Sequence, residues 1–225
     1  MDRWNGAVER THQRVLDGQV MLILRLREAG GELDRFAEAA TAAGVRALEV
    51  TIDTPDAVAW VAGTSWRGSD ELSVGLGTVR TRRDLEQALT ADPDFVVSPT
   101  VDPEVITGAL DAGVLPIPGA LTPTEISVAH DHGAPMVKLF PAASMGAGYV
   151  KAVRAPLPDV DLLVVGGIDA RNAGEMVAAG ASAVAVGSAV ASDADARAGD
   201  YGAVERRLCA VVEQVRAVSM SSSST

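Results

Sequence analysis

One pattern, repeated eight times, constrains this chain more than any other. A short run rich in Val, Ile, Leu and Ala is followed by a helix-length amphipathic segment. The runs cover residues 20–25, 47–52, 72–75, 94–98, 115–118, 136–140, 161–165 and 183–187. Helical periodicity fills 31–42, 55–62, 81–91, 103–112, 123–132, 149–155, 170–179 and 200–218. Short runs that are apolar on both faces are the mark of parallel strands covered on both sides. The punctuation agrees. Gly44, Gly113, Gly133 and Gly180 stand where helices would end, the usual place of a left-handed cap. Asp102-Pro103 and Thr122-Pro123 put a capping side chain before a proline in the first helical turn. The fold class expected is α/β, a (β/α)8 TIM barrel. A doubly wound open sheet alternates in a similar way, but no Gly-x-Gly-x-x-Gly turn follows the first run, which disfavours a dinucleotide-binding sheet. Residues 3–17 read as an N-terminal extra helix covering the bottom of the barrel. We expect one domain, residues 1–218, and a disordered Ser-rich tail, residues 219–225.

Composition narrows the partners. Aromatics make up 4% of the chain, so aliphatic residues must fill the core. A net charge of −11 argues against nucleic acid and against an anionic membrane as partners. The apolar runs are too short to span a bilayer, and the first residues lack the pattern of a signal peptide. The single Cys209 excludes an internal disulfide framework. A cytoplasmic setting is the expectation.

Lysine is almost absent: of 19 basic residues only Lys138 and Lys151 are lysines, leaving 17 arginines. Lys138 stands in the middle of the apolar run Met136-Val137-Lys138-Leu139-Phe140. Burying a charged amine is costly unless it is paired or neutral. A lysine can shed its proton and attack a carbonyl, whereas a guanidinium cannot. The competing reading is a lysine that snorkels to the strand end or pairs with a carboxylate. Glu49 is the matching anomaly, a carboxylate inside the run Ala47-Leu48-Glu49-Val50-Thr51. The two could form a structural ion pair. They could equally form an amine nucleophile with an acid/base beside it, which is what Schiff-base chemistry requires.

In a barrel of this kind the chemistry sits at the C-terminal ends of the strands. Those ends carry Arg25, Glu49 with Thr51, Gly75-Leu76-Gly77-Thr78, Ser98-Pro99, Pro118-Gly119, Lys138 with Phe140, Gly166-Gly167 and Gly187-Ser188. Glycine turns after the last two strands suit a phosphate held by backbone N–H groups. His12, His130 and His132 do not form a metal-ligand set with the carboxylates, so neither metal nor cofactor is expected.

Taken together, Glu49-Val-Thr, Gly75-Leu-Gly-Thr-Val79, Phe95-Val-Val-Ser-Pro99, Pro118-Gly-Ala-Leu-Thr-Pro-Thr-Glu125, Val137-Lys-Leu-Phe-Pro-Ala142 and Gly166-Gly-Ile resemble the 2-keto-3-deoxy-6-phosphogluconate aldolase family. That family also holds 4-hydroxy-2-oxoglutarate and 2-keto-3-deoxy-6-phosphogalactonate aldolases. The resemblance runs in order through roughly residues 10–215. It implies a class I aldolase without cofactor, a homotrimer, and a small 2-oxo acid phosphate as substrate, cleaved to pyruvate and glyceraldehyde 3-phosphate. By the same resemblance Lys138 matches the Schiff-base lysine and Glu49 the general acid/base. Thr78 matches the threonine beside the pyruvyl carboxylate, and Pro99 and Phe140 match pocket walls. Gly166, Gly167 and Ser188 match the phosphate loops, and Gly187 joins them by its place at the end of the last strand.

The chain departs from the family pattern at two places. Many members carry an arginine four residues after the strand-2 glutamate to hold the carboxylate, and here that residue is Asp53. Other members supply an arginine from the end of strand 1, which points to Arg25 as the clamp. Val165 replaces a threonine common in phosphogluconate-type members and is more similar to the phosphogalactonate type. The alternatives kept open are a 4-hydroxy-2-oxoglutarate aldolase or oxaloacetate decarboxylase, a phospho-sugar isomerase or epimerase using Glu49 as base, and an inactive phosphate-binding barrel.

Overall fold

Side chains alternate across a strand, so a strand buried on both faces sends every second residue to each side. In the computed structural model, which describes residues 4–27 and 32–222, this alternation builds a barrel. The chain runs α1 (Gly6–Gly18), β1 (Val20–Leu24), α2 (Glu32–Ala42), β2 (Ala47–Thr51), α3 (Ala57–Gly63), β3 (Ser73–Gly77), α4 (Arg82–Leu89), β4 (Phe95–Val97) and α5 (Pro103–Asp111). It continues β5 (Leu115–Ile117), β6 (Gly119–Ala120), α6 (Pro123–Asp131), β7 (Met136–Leu139), α7 (Ala147–Arg154), β8 (Asp161–Val165), α8 (Ala173–Ala178), β9 (Ala183–Val186), α9 (Asp193–Ala198) and α10 (Tyr201–Ser222). All the strand pairings are parallel, in the order β5-β4-β3-β2-β1-β9-β8-β7-β6.

Nine strand segments stand where eight runs were expected, and proline is the reason. Pro118 has no N–H to give a ladder, so it splits the fifth run into β5 and β6. β5 pairs with β4 and β6 with β7. The Pro118 carbonyl still accepts a hydrogen bond from the Lys138 N–H at 2.8 Å. One interrupted run therefore joins both ends of the sheet. The third strand also sits further along than expected. Leu76 and Gly77 belong to β3 rather than to the turn after it.

Two buried layers follow from the alternation. Leu22, Leu24, Leu48, Val50, Val74 and Leu76 face outward and pack under the helices. Met21, Ala47, Phe95, Val97, Leu115, Ile117, Met136, Leu163 and Ala183 face inward and fill the barrel. Gly75 makes room for Phe95, whose ring would lie 2.3 Å from a Cβ at that position. Each large aliphatic or aromatic side chain buried this way contributes about 1.5–3 kcal/mol.

The expected caps are present. Gly44, Gly113, Gly133 and Gly180 all have positive φ, and Asp102 and Thr122 accept hydrogen bonds from the first turns of α5 and α6. The short α9 was not foreseen. It has no buried residue to give an apolar period, although its Ser192–Asp195 capping box was visible in the sequence. α10 runs through Ser222, four residues into the expected tail, and residues 223–225 lie outside the described residues. No helix among the described residues is long and apolar enough to cross a membrane.

The expected N-terminal helix closes the barrel floor. Val8 and Val15 of α1 join the inward-facing cluster. Trp4 Nε1 donates to the Gly133 carbonyl at 2.8 Å, and an Arg14 terminal nitrogen donates to Ser73 Oγ at 3.0 Å. His12 Nε2 lies 3.1 Å from Asp161 Oδ2, and Ser182 Oγ donates to Asp161 Oδ1 at 2.8 Å. Burial alone would raise the Asp161 carboxyl, but His12 and the Ser182 hydroxyl outweigh it and hold the group below its ordinary range. A depressed carboxyl adds stability above its unfolded value, and that stability is lost as pH falls through the folded value. Asp161→Asn should therefore cost about 1–3 kcal/mol in urea unfolding at neutral pH. The gap to wild type should close as pH falls below 3.8, the ordinary value of this carboxyl. A gap that persists in acid would show that the carboxylate is not the fastening.

Candidate active site

The inward positions near the C-terminal ends of the strands form a cavity of about 370 Å³. All ten residues singled out from the sequence line it: Arg25, Glu49, Thr78, Pro99, Lys138, Phe140, Gly166, Gly167, Gly187 and Ser188. They come from seven strands and the turns after them, so the barrel register brings them together. Lys138 sits beside Gly119 and Leu163 in the ladder, and Glu49 sits between Ile23 and Gly75.

Glu49 is 1% exposed, and its Oε2 has no hydrogen-bond partner among the described residues. Burial drives its carboxyl above the ordinary glutamate range. Lys138 and, less strongly, Arg25 pull it down, and Asp53 adds a smaller push upward. Burial wins, so the group tends to keep a proton, the condition for a general acid at neutral pH. The side chain has space only because residue 77 is glycine. A Cβ there would lie 1.7 Å from Glu49 Oε1.

Lys138 is 8% exposed, in the middle of β7, which is otherwise apolar. Its Nζ lies 5.3 Å from the centre of the Phe140 ring, over the ring face, where a cation is attracted. Phe140 is itself 40% exposed and forms part of the cavity wall.

Arg25 does not stand alone. One of its terminal nitrogens, Nη1, pairs with Asp53 Oδ2, and Nη2 donates to Thr78 Oγ1 at 2.7 Å. A carboxylate at residue 53 would by itself repel an anionic substrate. In the folded chain its charge faces the Arg25 guanidinium instead. Thr78 holds φ 63, a left-handed conformation unfavourable for a β-branched residue. Its hydroxyl is oriented by the hydrogen bond it accepts from Arg25 Nη2.

On the far side of the cavity Gly166 and Gly167 take φ 98 and 73, and each packs too closely for a side chain. A Cβ on the first would meet the Phe140 ring at 3.0 Å, and one on the second would meet Ala143 Cβ at 2.8 Å. Ile23, Val165, Ile168, Ala185, Ala189 and Ala191 complete the wall. Apart from Val165 these were missed. Ile23 and Ala185 could have been found by counting two residues from Arg25 and Gly187 along their strands. The Arg25–Asp53 pair carried no signal in the sequence.

Known proteins resemble this chain along most of its length. A family model described as KDPG and KHG aldolase matches residues 12–207. A 2-dehydro-3-deoxy-phosphogluconate aldolase of Treponema pallidum is 36% identical over 170 residues, 75% of this chain and 80% of that protein. A 2-dehydro-3-deoxy-6-phosphogalactonate aldolase of Escherichia coli is 30% identical over 147 residues, 65% and 72% of the two chains. Among solved structures, a KDPG aldolase from Legionella pneumophila, with pyruvate captured as a covalent carbinolamine, superposes with a TM-score of 0.78. It is 25% identical and covers 88% of this chain and 96% of that one.

Two outcomes test the geometry. Gly77→Ala should displace the Glu49 carboxylate and lower turnover about 100-fold or more, the scale of a lost acid/base group, while the chain still folds. Near-normal turnover would mean that Glu49 has freedom the packing denies it. Glu49→Gln should lose activity on the same scale yet melt higher. A raised carboxyl pKa means that the ionised form costs stability once pH exceeds 4.5. Removing that cost should raise the midpoint by about 2–4 °C at neutral pH, and a lower midpoint would contradict it.

Proposed function

The chain belongs to the KDPG and KHG aldolase family, matched over residues 12–207, and from that premise we propose that it is a class I aldolase. It cleaves a 2-keto-3-deoxy-6-phospho sugar acid to pyruvate and glyceraldehyde 3-phosphate. The observation that carries this reading is an amine and a carboxyl group, each buried in an apolar strand and both lining one cavity.

In the reading, neutral Lys138 attacks the C2 ketone and forms a carbinolamine. Glu49, through a bridging water, delivers the proton with which the C2 oxygen leaves as water. Its raised pKa suits that step. The resulting iminium draws in the electrons of the C3–C4 bond as the C4 hydroxyl loses its proton, and the aldehyde departs. The enamine takes a proton at C3, and water returns to C2 to free pyruvate and Lys138. Every electron pair stays within substrate, lysine and water.

Arg25 and Thr78 would hold the carboxylate at one end. Pro99 and Phe140 would flank the chain of the substrate, and the loops at Gly166, Gly167, Gly187 and Ser188 would take the phosphate. The wall at Val165 offers no hydroxyl to read the C4 configuration. Both C4 epimers yield the same products, so the reading covers both. A homotrimer and a cytoplasmic setting belong to the same reading. The single free Cys209 supports the second.

Intact mass after incubation with pyruvate and borohydride tests the reading. Wild type should gain one reduced pyruvyl group and Lys138→Ala none. Absence of the adduct in wild type would turn the assignment toward an isomerase or epimerase, which forms no imine.

A further inference from the structure

We propose that Asp53 is a positioning residue for Arg25, holding its guanidinium in the orientation that receives the substrate carboxylate. The inference rests on the reading of Arg25 as the carboxylate clamp and adds a partner to it. Arg25 stands at the end of β1 with a side chain 55% exposed, and Asp53 stands in the turn after β2 with a side chain 51% exposed. A half-exposed arginine has many rotamers, and ordering it on binding would weaken the grip on a small anion.

Two contacts fix it beforehand. Nη1 pairs with Asp53 Oδ2, and Nη2 donates to Thr78 Oγ1 at 2.7 Å. Each terminal nitrogen has a second hydrogen, so the guanidinium can hold both contacts and still present a fork to a carboxylate.

The loops that carry the pair are stitched together as well. The Leu26 N–H donates to Thr54 Oγ1 at 3.1 Å, and Thr54 Oγ1 lies 3.1 Å from Thr51 Oγ1 in β2. The Thr54 N–H donates to the Thr51 carbonyl at 2.8 Å, closing the turn that holds Asp53. The residues following Arg25 and Asp53 are therefore joined directly, and the side-chain pair extends a connection the backbone already makes. On the outer side the Arg27 N–H donates to Asp193 Oδ1 at 2.7 Å and anchors the same loop to α9.

Two roles for Asp53 predict opposite signs. If it positions the guanidinium, its removal weakens carboxylate binding. If it competes with the substrate for the same cation, its removal strengthens binding. The Thr78 bond favours positioning, because it fixes the second nitrogen and leaves Asp53 to set the remaining rotation.

Pyruvate, which carries the carboxylate alone, is the probe. Borohydride trapping at increasing pyruvate gives a half-saturating concentration and a limiting rate. Asp53→Ala should raise the half-saturating concentration about threefold to tenfold with little change in limiting rate. Asp53→Asn keeps an oxygen acceptor for Nη1 and should recover most of the loss. In an Arg25→Ala background, Asp53→Ala should leave the half-saturating concentration unchanged or lower it. Unchanged or tighter binding on Asp53→Ala with Arg25 intact would overturn the proposal. So would a loss of equal size without Arg25, since that would be a structural effect. If Arg25→Ala alone leaves pyruvate binding untouched while the Lys138 adduct still forms, the clamp reading and this inference both fail and the aldolase assignment stands.

Discussion

Closure of the sheet depends on one stretch, residues 115–120, which has to serve two neighbours. Its first half pairs with β4 and its second with β7, and Pro118 lies at the change of partner. A proline inside a sheet would normally leave a gap in the ladder. Here the gap allows the strand to turn from one neighbour to the other. The Pro118 carbonyl then accepts from the N–H of Lys138, so the residue that closes the barrel also fixes the backbone height of the amine. Gly119 continues the stretch with no Cβ because the backbone of Pro99 lies 2.5 Å from where one would be. The wall residue Pro99, the hinge and the lysine are thus set by a single piece of local geometry.

Within the closed barrel, polar groups survive only where the packing makes room for them. Glu49 occupies the space that a side chain at residue 77 would take. Its carboxyl is raised because burial exceeds what Lys138 and Arg25 return. A carboxyl in water would have lost its proton well below neutral pH. The dry interior that stabilises the fold therefore also tunes the acid. Arg25 lies at the wet end of the same cavity and pairs with Asp53, both half exposed, where a pair contributes little to stability. The site is graded from buried to solvated groups.

Much of this was legible in the sequence, for identifiable reasons. The barrel was readable because strands covered on both faces give apolar runs and because glycine and proline mark the helix ends. Lys138 and Glu49 stood out because a charge in such a run has few explanations. The split of the fifth strand was harder, since Pro116 and Pro118 read as the end of a run and not as a change of partner. Gly77 read as part of a turn because its role, yielding space to a residue on the next strand, exists only in three dimensions. The partner of Asp53 was hidden for a related reason. From the sequence Asp53 was an arginine missing from one loop, and only the fold brings it against the arginine of another. α9 escaped because it buries nothing and so has no period to detect.

The floor formed by α1 has a bearing on the movement of molecules. Val8 and Val15 seal the lower end with the inward-facing apolar layer, and His12 and Arg14 fasten the helix to the first residues of β8 and β3. Entry and exit then share the opening at the upper end. On the proposed reading, one half of a cleaved substrate remains tethered to Lys138 and the other is free to diffuse. On that reading both halves leave through the same doorway. The partners of the reverse synthesis must come in by the route along which the products go out.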